Sequence, residues 1–147
     1  MRAGSCVHKL IHSMNQLAEK SVLVVDDDPA MLRALTRVLT REGCRVTGVD
    51  GSVAALGELA RRENRFDLII VDLRMPVLSG RGVLGFVGAV APEIPVILIS
   101  AFGTPETEAE ALRLGAFAFL EKPINAGELI GVVKRALTPG DPVGATA

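Results

Sequence analysis

The sequence predicts an α/β protein built on an open parallel sheet. Three observations carry that expectation. Short apolar runs alternate with segments of helical spacing, five times over between residues 21 and 137. The runs are continuous rather than alternating, which suits strands covered on both faces. Acidic, hydroxyl and basic residues stand where those runs end. Right-handed crossovers then place helices on both faces of the sheet.

The first run, VLVV at 22–25, is followed by Asp26, Asp27 and Asp28. Asp28 and Pro29 open the first helix with a capping residue and a proline in its first turn. Met31, Leu32, Leu35, Val38 and Leu39 then recur at three- and four-residue steps. Gly43 closes that helix, where a left-handed residue is commonly needed. The second run, 46–49, precedes a helix with Val53, Leu56, Leu59 and Ala60 on its apolar face. The third, 68–71, ends at Asp72. The next helix lies in VLSGRGVLGFVG, whose four glycines each weaken it by up to about 1 kcal/mol relative to Ala. The fourth run, 96–99, ends at Ser100, and a weaker helical pattern of Ala109, Leu112 and Leu114 is closed by Gly115. The fifth, 117–120, leads to Lys122 and Pro123, and a cis bond between those two would aim the ammonium inward. Ile124, Leu129, Ile130, Val132, Val133 and Leu137 mark the last helix.

Composition excludes several classes. A length of 147 residues suits one domain. With no Trp, no Tyr and five Phe, the core must rest on Val, Leu, Ile and Ala. A net charge of −1 favours neither nucleic acid nor an acidic membrane surface. Cys6 and Cys44 stand alone, so a reducing cytoplasm is the expected setting. No apolar run approaches the roughly 18 residues of a membrane span, and no signal peptide is expected.

The ends differ from the middle. Residues 1–20 form an N-terminal extension in which Val7, Leu10, Ile11, Met14, Leu17 and Ala18 share one face of an amphipathic helix. That segment reads either as a loosely held leader or as a helix docking on a partner or second copy. His8 and His12 sit four apart but lack a third ligand. Residues 138–147, rich in Pro, Gly and Ala, read as a flexible tail after the domain at 21–137.

The aspartates acquire a purpose from the topology. Ligands of open parallel sheets bind beyond the carboxyl ends of the strands. Asp26, Asp27 and Asp72 should therefore meet at one rim, where clustered carboxylates are costly without a cation. Oxygen ligands alone favour a hard divalent ion, here Mg2+ held partly by water. Asp28 fits better as a helix cap. Ser100 and Lys122 reach the same rim and add a hydroxyl and an ammonium. That combination suits phosphoryl oxygens shared between Mg2+ and Lys122 while a carboxylate attacks.

VLVVDDDP, LIIVDLRMPVLSG, ILISA and FLEKP, in that order, resemble the signatures of response-regulator receiver domains of two-component signalling. The resemblance runs from about Ser21 to Leu137. The spacings agree: 28 positions from Asp72 to Ser100 and 22 from Ser100 to Lys122. It implies a flavodoxin-like (βα)5 fold with a five-stranded parallel sheet of order 2-1-3-4-5. It implies Asp72 as phosphoacceptor, Asp26, Asp27, Asp72 and the backbone carbonyl of Arg74 around Mg2+, and Lys122 on the phosphate. Ser100 and Phe119 are the implied switch residues, read out on the face of the fourth helix, fifth strand and fifth helix. Arg74 and Phe102, two positions beyond the acceptor and the switch hydroxyl, are the side chains placed to tune phosphoryl lifetime. Phe119 lacks the hydroxyl of the more usual tyrosine, so it can signal only by moving its ring.

The resemblance implies a phosphoryl donor carrying phosphohistidine: a sensor histidine kinase or a histidine phosphotransfer protein. The favoured reading is a phosphorylation-controlled receiver acting through a partner or homodimer, not an enzyme in its own right. Alternatives are a phosphorelay intermediate and a receiver fragment of a larger regulator or hybrid kinase. A phospho-aspartyl hydrolase would need an acidic residue where Arg74 stands, and a substrate cap. No DNA-binding helix pair fits after Leu137, so no direct nucleic-acid contact and no membrane contact are expected of this chain.

Overall fold

The computed structural model describes residues 16–61 and 65–138. Among the described residues five strands and five helices alternate: β1 Ser21–Val25, α1 Pro29–Arg41, β2 Arg45–Val49, α2 Ser52–Ala60, β3 Leu68–Asp72, α3 Gly80–Val90, β4 Val96–Ser100, α4 Pro105–Arg113, β5 Ala118–Glu121 and α5 Ala126–Leu137. Every pairing is parallel, and the strand order is β2-β1-β3-β4-β5.

Side chains alternate across the pleat, so each continuous apolar run serves two cores. Val22, Val24, Leu68, Ile70, Ile97 and Ile99 face α1 and α5 through Leu35, Leu39, Leu129, Val132 and Val133. Leu23, Val25, Ile69, Val71, Val96 and Leu98 face Ala55 of α2, Val83, Leu84 and Val87 of α3, and Ala111 of α4. Burial of β1, β3 and β4 on both faces is what makes their sequences continuously apolar.

Three expectations need correction. β2 is half exposed rather than covered, because it is an edge strand, as is β5. α2 turns Ser52 and Ala55 inward and leaves Val53 exposed, so its buried face is rotated from the expected one. α4 buries Ala111, whereas Ala109, Leu112 and Leu114 face solvent. In both short helices the chain direction set by the flanking strands, not the apolar count, chooses the face.

Caps and breaks fall where the residues indicate. Asp28 accepts from the Ala30 N–H at 3.0 Å and Pro29 follows it. Gly43 and Gly115 take φ of 91° and 104°, the left-handed conformation that ends α1 and α4. The expected leader helix lies outside the described residues up to Asn15, as do His8, His12 and all but Thr138 of the tail. Gln16–Glu19 form a turn, and Leu17 is buried in the core beside α1 and α5.

Candidate functional site

The register gathers the ends of four strands, β1, β3, β4 and β5, at one rim. β1 and β3 pair Val25 with Val71, so one step further sets Asp26 beside Asp72. β3 and β4 pair Asp72 with Ile99, and β4 and β5 pair Ser100 with Glu121, which brings Ser100 and Lys122 alongside. Carboxylate oxygens of Asp26, Asp27 and Asp72 lie within 4.8 Å of one another. Lys122 Nζ stands 3.0 Å from Asp26 Oδ2 and 3.1 Å from Asp72 Oδ2. The Lys122–Pro123 peptide bond is cis.

The electrostatics follow from burial. Asp26 is fully buried, and loss of water pushes its carboxyl above the ordinary aspartate value. The Asp28 N–H, which donates to Asp26 Oδ1 at 2.9 Å, and the Lys122 ammonium oppose that rise; the charge of Asp72 adds to it. Burial alone would lower the pKa of Lys122, but the two facing carboxylates, Asp26 and Asp72, outweigh that and hold it above the usual lysine value. Asp26 Oδ2 is buried and makes no hydrogen bond; the ammonium 3.0 Å away is an ion-pair partner off the line for one. Three carboxylates facing one ammonium, one of them with an unsatisfied oxygen, fit a hard divalent cation.

Other expected residues sit close by. The Arg74 N–H donates to Asp72 Oδ1 at 3.1 Å, and its guanidinium carbon lies 4.9 Å from the centre of the Phe102 ring. Ser100 is fully buried, and its Oγ accepts from the Phe102 N–H at 3.1 Å. Phe119 is half-buried and packs on the core beneath α3 and α4. Two relationships escaped sequence reasoning: the stacking of Arg74 on Phe102, and the approach of Gly103 to Phe119. A Cβ on Gly103 would meet Phe119 Cε1 at 2.7 Å. Arg74 and Phe102 are expected together as the pair that tunes phosphoryl lifetime, but no spacing shows that their side chains touch.

Fold and site together define a five-stranded parallel α/β domain with an acidic rim that could hold a metal ion. Residues 22–134 match the response regulator receiver domain family, and the chain belongs to it. It is 40% identical over 114 residues to the response regulator protein FleR of Pseudomonas aeruginosa, covering 78% of this chain and 24% of that protein. It is 39% identical over 117 residues to the transcriptional regulatory protein PrrA of Mycobacterium tuberculosis, covering 79% of this chain and 49% of that one. The chain thus spans a quarter to a half of these relatives' length. A receiver domain crystal structure from Clostridium thermocellum superposes with a TM-score of 0.75 at 29% identity, covering 80% of this chain and 94% of the other. The beryllofluoride-activated NtrC4 receiver domain dimer gives a TM-score of 0.72 at 30% identity, covering 80% and 95%. Among the described residues no helix is long and apolar enough to cross a membrane.

Proposed function

We propose that this receiver domain accepts a phosphoryl group on Asp72 from a phosphohistidine of a partner protein, either a sensor histidine kinase or a histidine phosphotransfer protein. The single observation that carries the reading is Asp72 itself. It is a buried carboxylate at a strand end, bonded to Lys122 Nζ at 3.1 Å and within 4.8 Å of two further carboxylates. One Asp72 oxygen forms a bond to phosphorus as the donor's P–N bond breaks, and the leaving imidazole keeps the electron pair. Asp26, Asp27, Asp72 and the Arg74 carbonyl would hold Mg2+, which supplies charge neutralisation at the phosphoryl oxygens when bound. Lys122 binds one of those oxygens. The Ser100 hydroxyl, drawn to another, gives up Phe102 and lets Phe119 turn.

The switch is read on the face of α4, β5 and α5, where Leu112 and Leu114 are 44% and 52% exposed. Exposed leucines on that face suit a partner or a second copy of the chain, and the NtrC4 receiver that this chain resembles is a dimer when activated. A second reading rests on the greater length of FleR and PrrA: the same face would then act on another domain of a longer regulator. Cytoplasmic location and the absence of turnover chemistry beyond the protein's own phosphorylation complete the reading.

Intact-mass measurement tests it. Incubation with a small acyl phosphate and Mg2+ should add one phosphoryl group to the wild type. Asp72→Ala should gain none, and a chelator should abolish the wild-type gain. Full labelling of Asp72→Ala would overturn the assignment.

A further inference from the structure

The loop from β4 to α4 is four residues long, and nearly every one of them is tied to something outside it. The Phe102 N–H is held by Ser100 Oγ at 3.1 Å. The Phe102 ring lies under the Arg74 guanidinium, 4.9 Å from its carbon. Gly103 abuts the Phe119 ring so closely that a Cβ would stand 2.7 Å from it. Thr104 caps α4 by accepting from the Thr107 N–H at 3.1 Å. A displacement of Phe102 therefore reaches the seat of Phe119 one residue later and the start of α4 two residues later.

Phe102 is 65% exposed, so burial does not hold it. Its position depends on the bond to Ser100 and on the guanidinium above it. Arg74, for its part, makes no ion pair among the described residues, and its backbone N–H already touches the Asp72 carboxylate at 3.1 Å. Its guanidinium rests on a weak exposed cation–π contact, on a residue whose backbone bonds an acceptor that gains a doubly charged group. Phosphoryl oxygens offer that guanidinium paired, charge-assisted hydrogen bonds, which are the stronger attachment.

We infer that the Arg74–Phe102 stack is a latch on the β4–α4 loop, and that a phosphoryl group on Asp72 opens it by drawing the guanidinium away. The inference rests on the proposed role of Asp72 and adds a second route from that residue to α4, parallel to Ser100. Both routes end on Phe102: one holds its backbone, the other its ring. Release is complete only when both let go, so the latch sharpens the response. Arg74 is a positioning residue here, as is Phe102.

Amide NMR with beryllofluoride and Mg2+ as the phosphoryl mimic tests it. In unliganded Phe102→Ala, the Gly103 and Phe119 signals should move toward their positions in the saturated wild type. Its apparent affinity for the mimic should rise about two- to fivefold, the factor an exposed cation–π contact supports. Phe102→Leu keeps apolar bulk without the π face and should behave alike. Arg74→Ala should shift the same free-state signals without the gain in affinity, because it also loses the group that binds the mimic. Wild-type signals and affinity in both Phe102 variants would overturn the latch while leaving Asp72 as acceptor. A wild type that fails to bind the mimic would overturn the reading of the site, and the latch with it.

Discussion

Lys122 Nζ lies 3.1 Å from Asp72 Oδ2 although 50 positions separate the two residues. The same ammonium reaches Asp26 Oδ2 at 3.0 Å, so the loop after β5 holds together the ends of β1 and β3. Removing one partner of a buried ionic group leaves the others uncompensated. Lys122→Met should therefore lower stability at neutral pH without metal by about 3 kcal/mol, measured by denaturant unfolding in chelator. Millimolar Mg2+ should recover part of that loss by replacing the missing positive charge. Equal stability of variant and wild type in chelator would mean that the ammonium does not neutralise this cluster.

Asp26 has the opposite sign. Burial raises its carboxyl pKa above 3.8, so in metal-free protein the folded state binds a proton more tightly than the unfolded one. Stability from this group is fully present below 3.8 and is lost as pH rises through the raised value. Metal-free wild type should accordingly gain stability from Asp26 on mild acidification. Asp26→Asn should be more stable than wild type at pH 7 in chelator, lack that pH slope, and lose most Mg2+-dependent stabilisation. Lys122 works at the other end: its stabilisation persists through neutral pH and fades only as pH rises above 10.5 through its raised value. Unfolding titrations at several pH values, with chelator and with Mg2+, separate the two.

Phosphoryl lifetime should be long for a receiver. Hydrolysis needs water in line with the departing Asp72 oxygen. Arg74 and Phe102, two positions beyond the acceptor and the switch hydroxyl, are exposed and stack at 4.9 Å. Phe102 cannot orient water through its side chain, and Arg74 can cover the phosphoryl oxygens. An arginine can also stabilise charge in the transition state. A bound phosphate and a loose transition state gain similarly from one peripheral cation, whereas exclusion of water acts on the rate alone. Arg74→Asn combined with Phe102→Glu should speed dephosphorylation about tenfold or more, equivalent to roughly 1.4 kcal/mol of barrier. Decay of the phosphorylated protein after donor removal, in excess Mg2+, reads this directly. An unchanged or slower decay would refute shielding.

Backbone choices near the site predict changes in stability of both signs. Val77 is 90% exposed and has φ of 72°, a left-handed conformation that a β-branched residue adopts only under strain. Val77→Asn should stabilise the fold by about 1 kcal/mol. Gly85 and Gly88 in α3 have open space where a Cβ would go, so each change to Ala should add about 0.5–1 kcal/mol. Gly80→Ala should do the reverse, because its Cβ would stand 2.5 Å from the Asp72 carbonyl oxygen. Thermal unfolding of the four single variants checks all of these; a destabilised Val77→Asn would show that the loop tolerates valine without strain.

Much of the fold and the outline of the site were legible in the residues alone. Strands buried on both faces must be continuously apolar, so β1, β3 and β4 declared themselves, and side chains at parallel strand ends must meet at one rim. The chain pattern alone therefore brings Asp26, Asp27, Asp72, Ser100 and Lys122 together. Caps and left-handed glycines are local events, and Asp28, Gly43 and Gly115 sit where local chemistry puts them. What required tertiary structure was every relation that depends on how elements approach one another. Which face α2 and α4 bury, how far β2 is exposed at its edge, and the pairing of Arg74 with Phe102 all belong there. So does the absence of room for a Cβ between Gly103 and Phe119. Loop side chains carry no periodicity, and their partners come from loops distant in sequence. Only the packing of two β-α connections over one sheet edge decides whether a guanidinium finds a ring, a carboxylate or water.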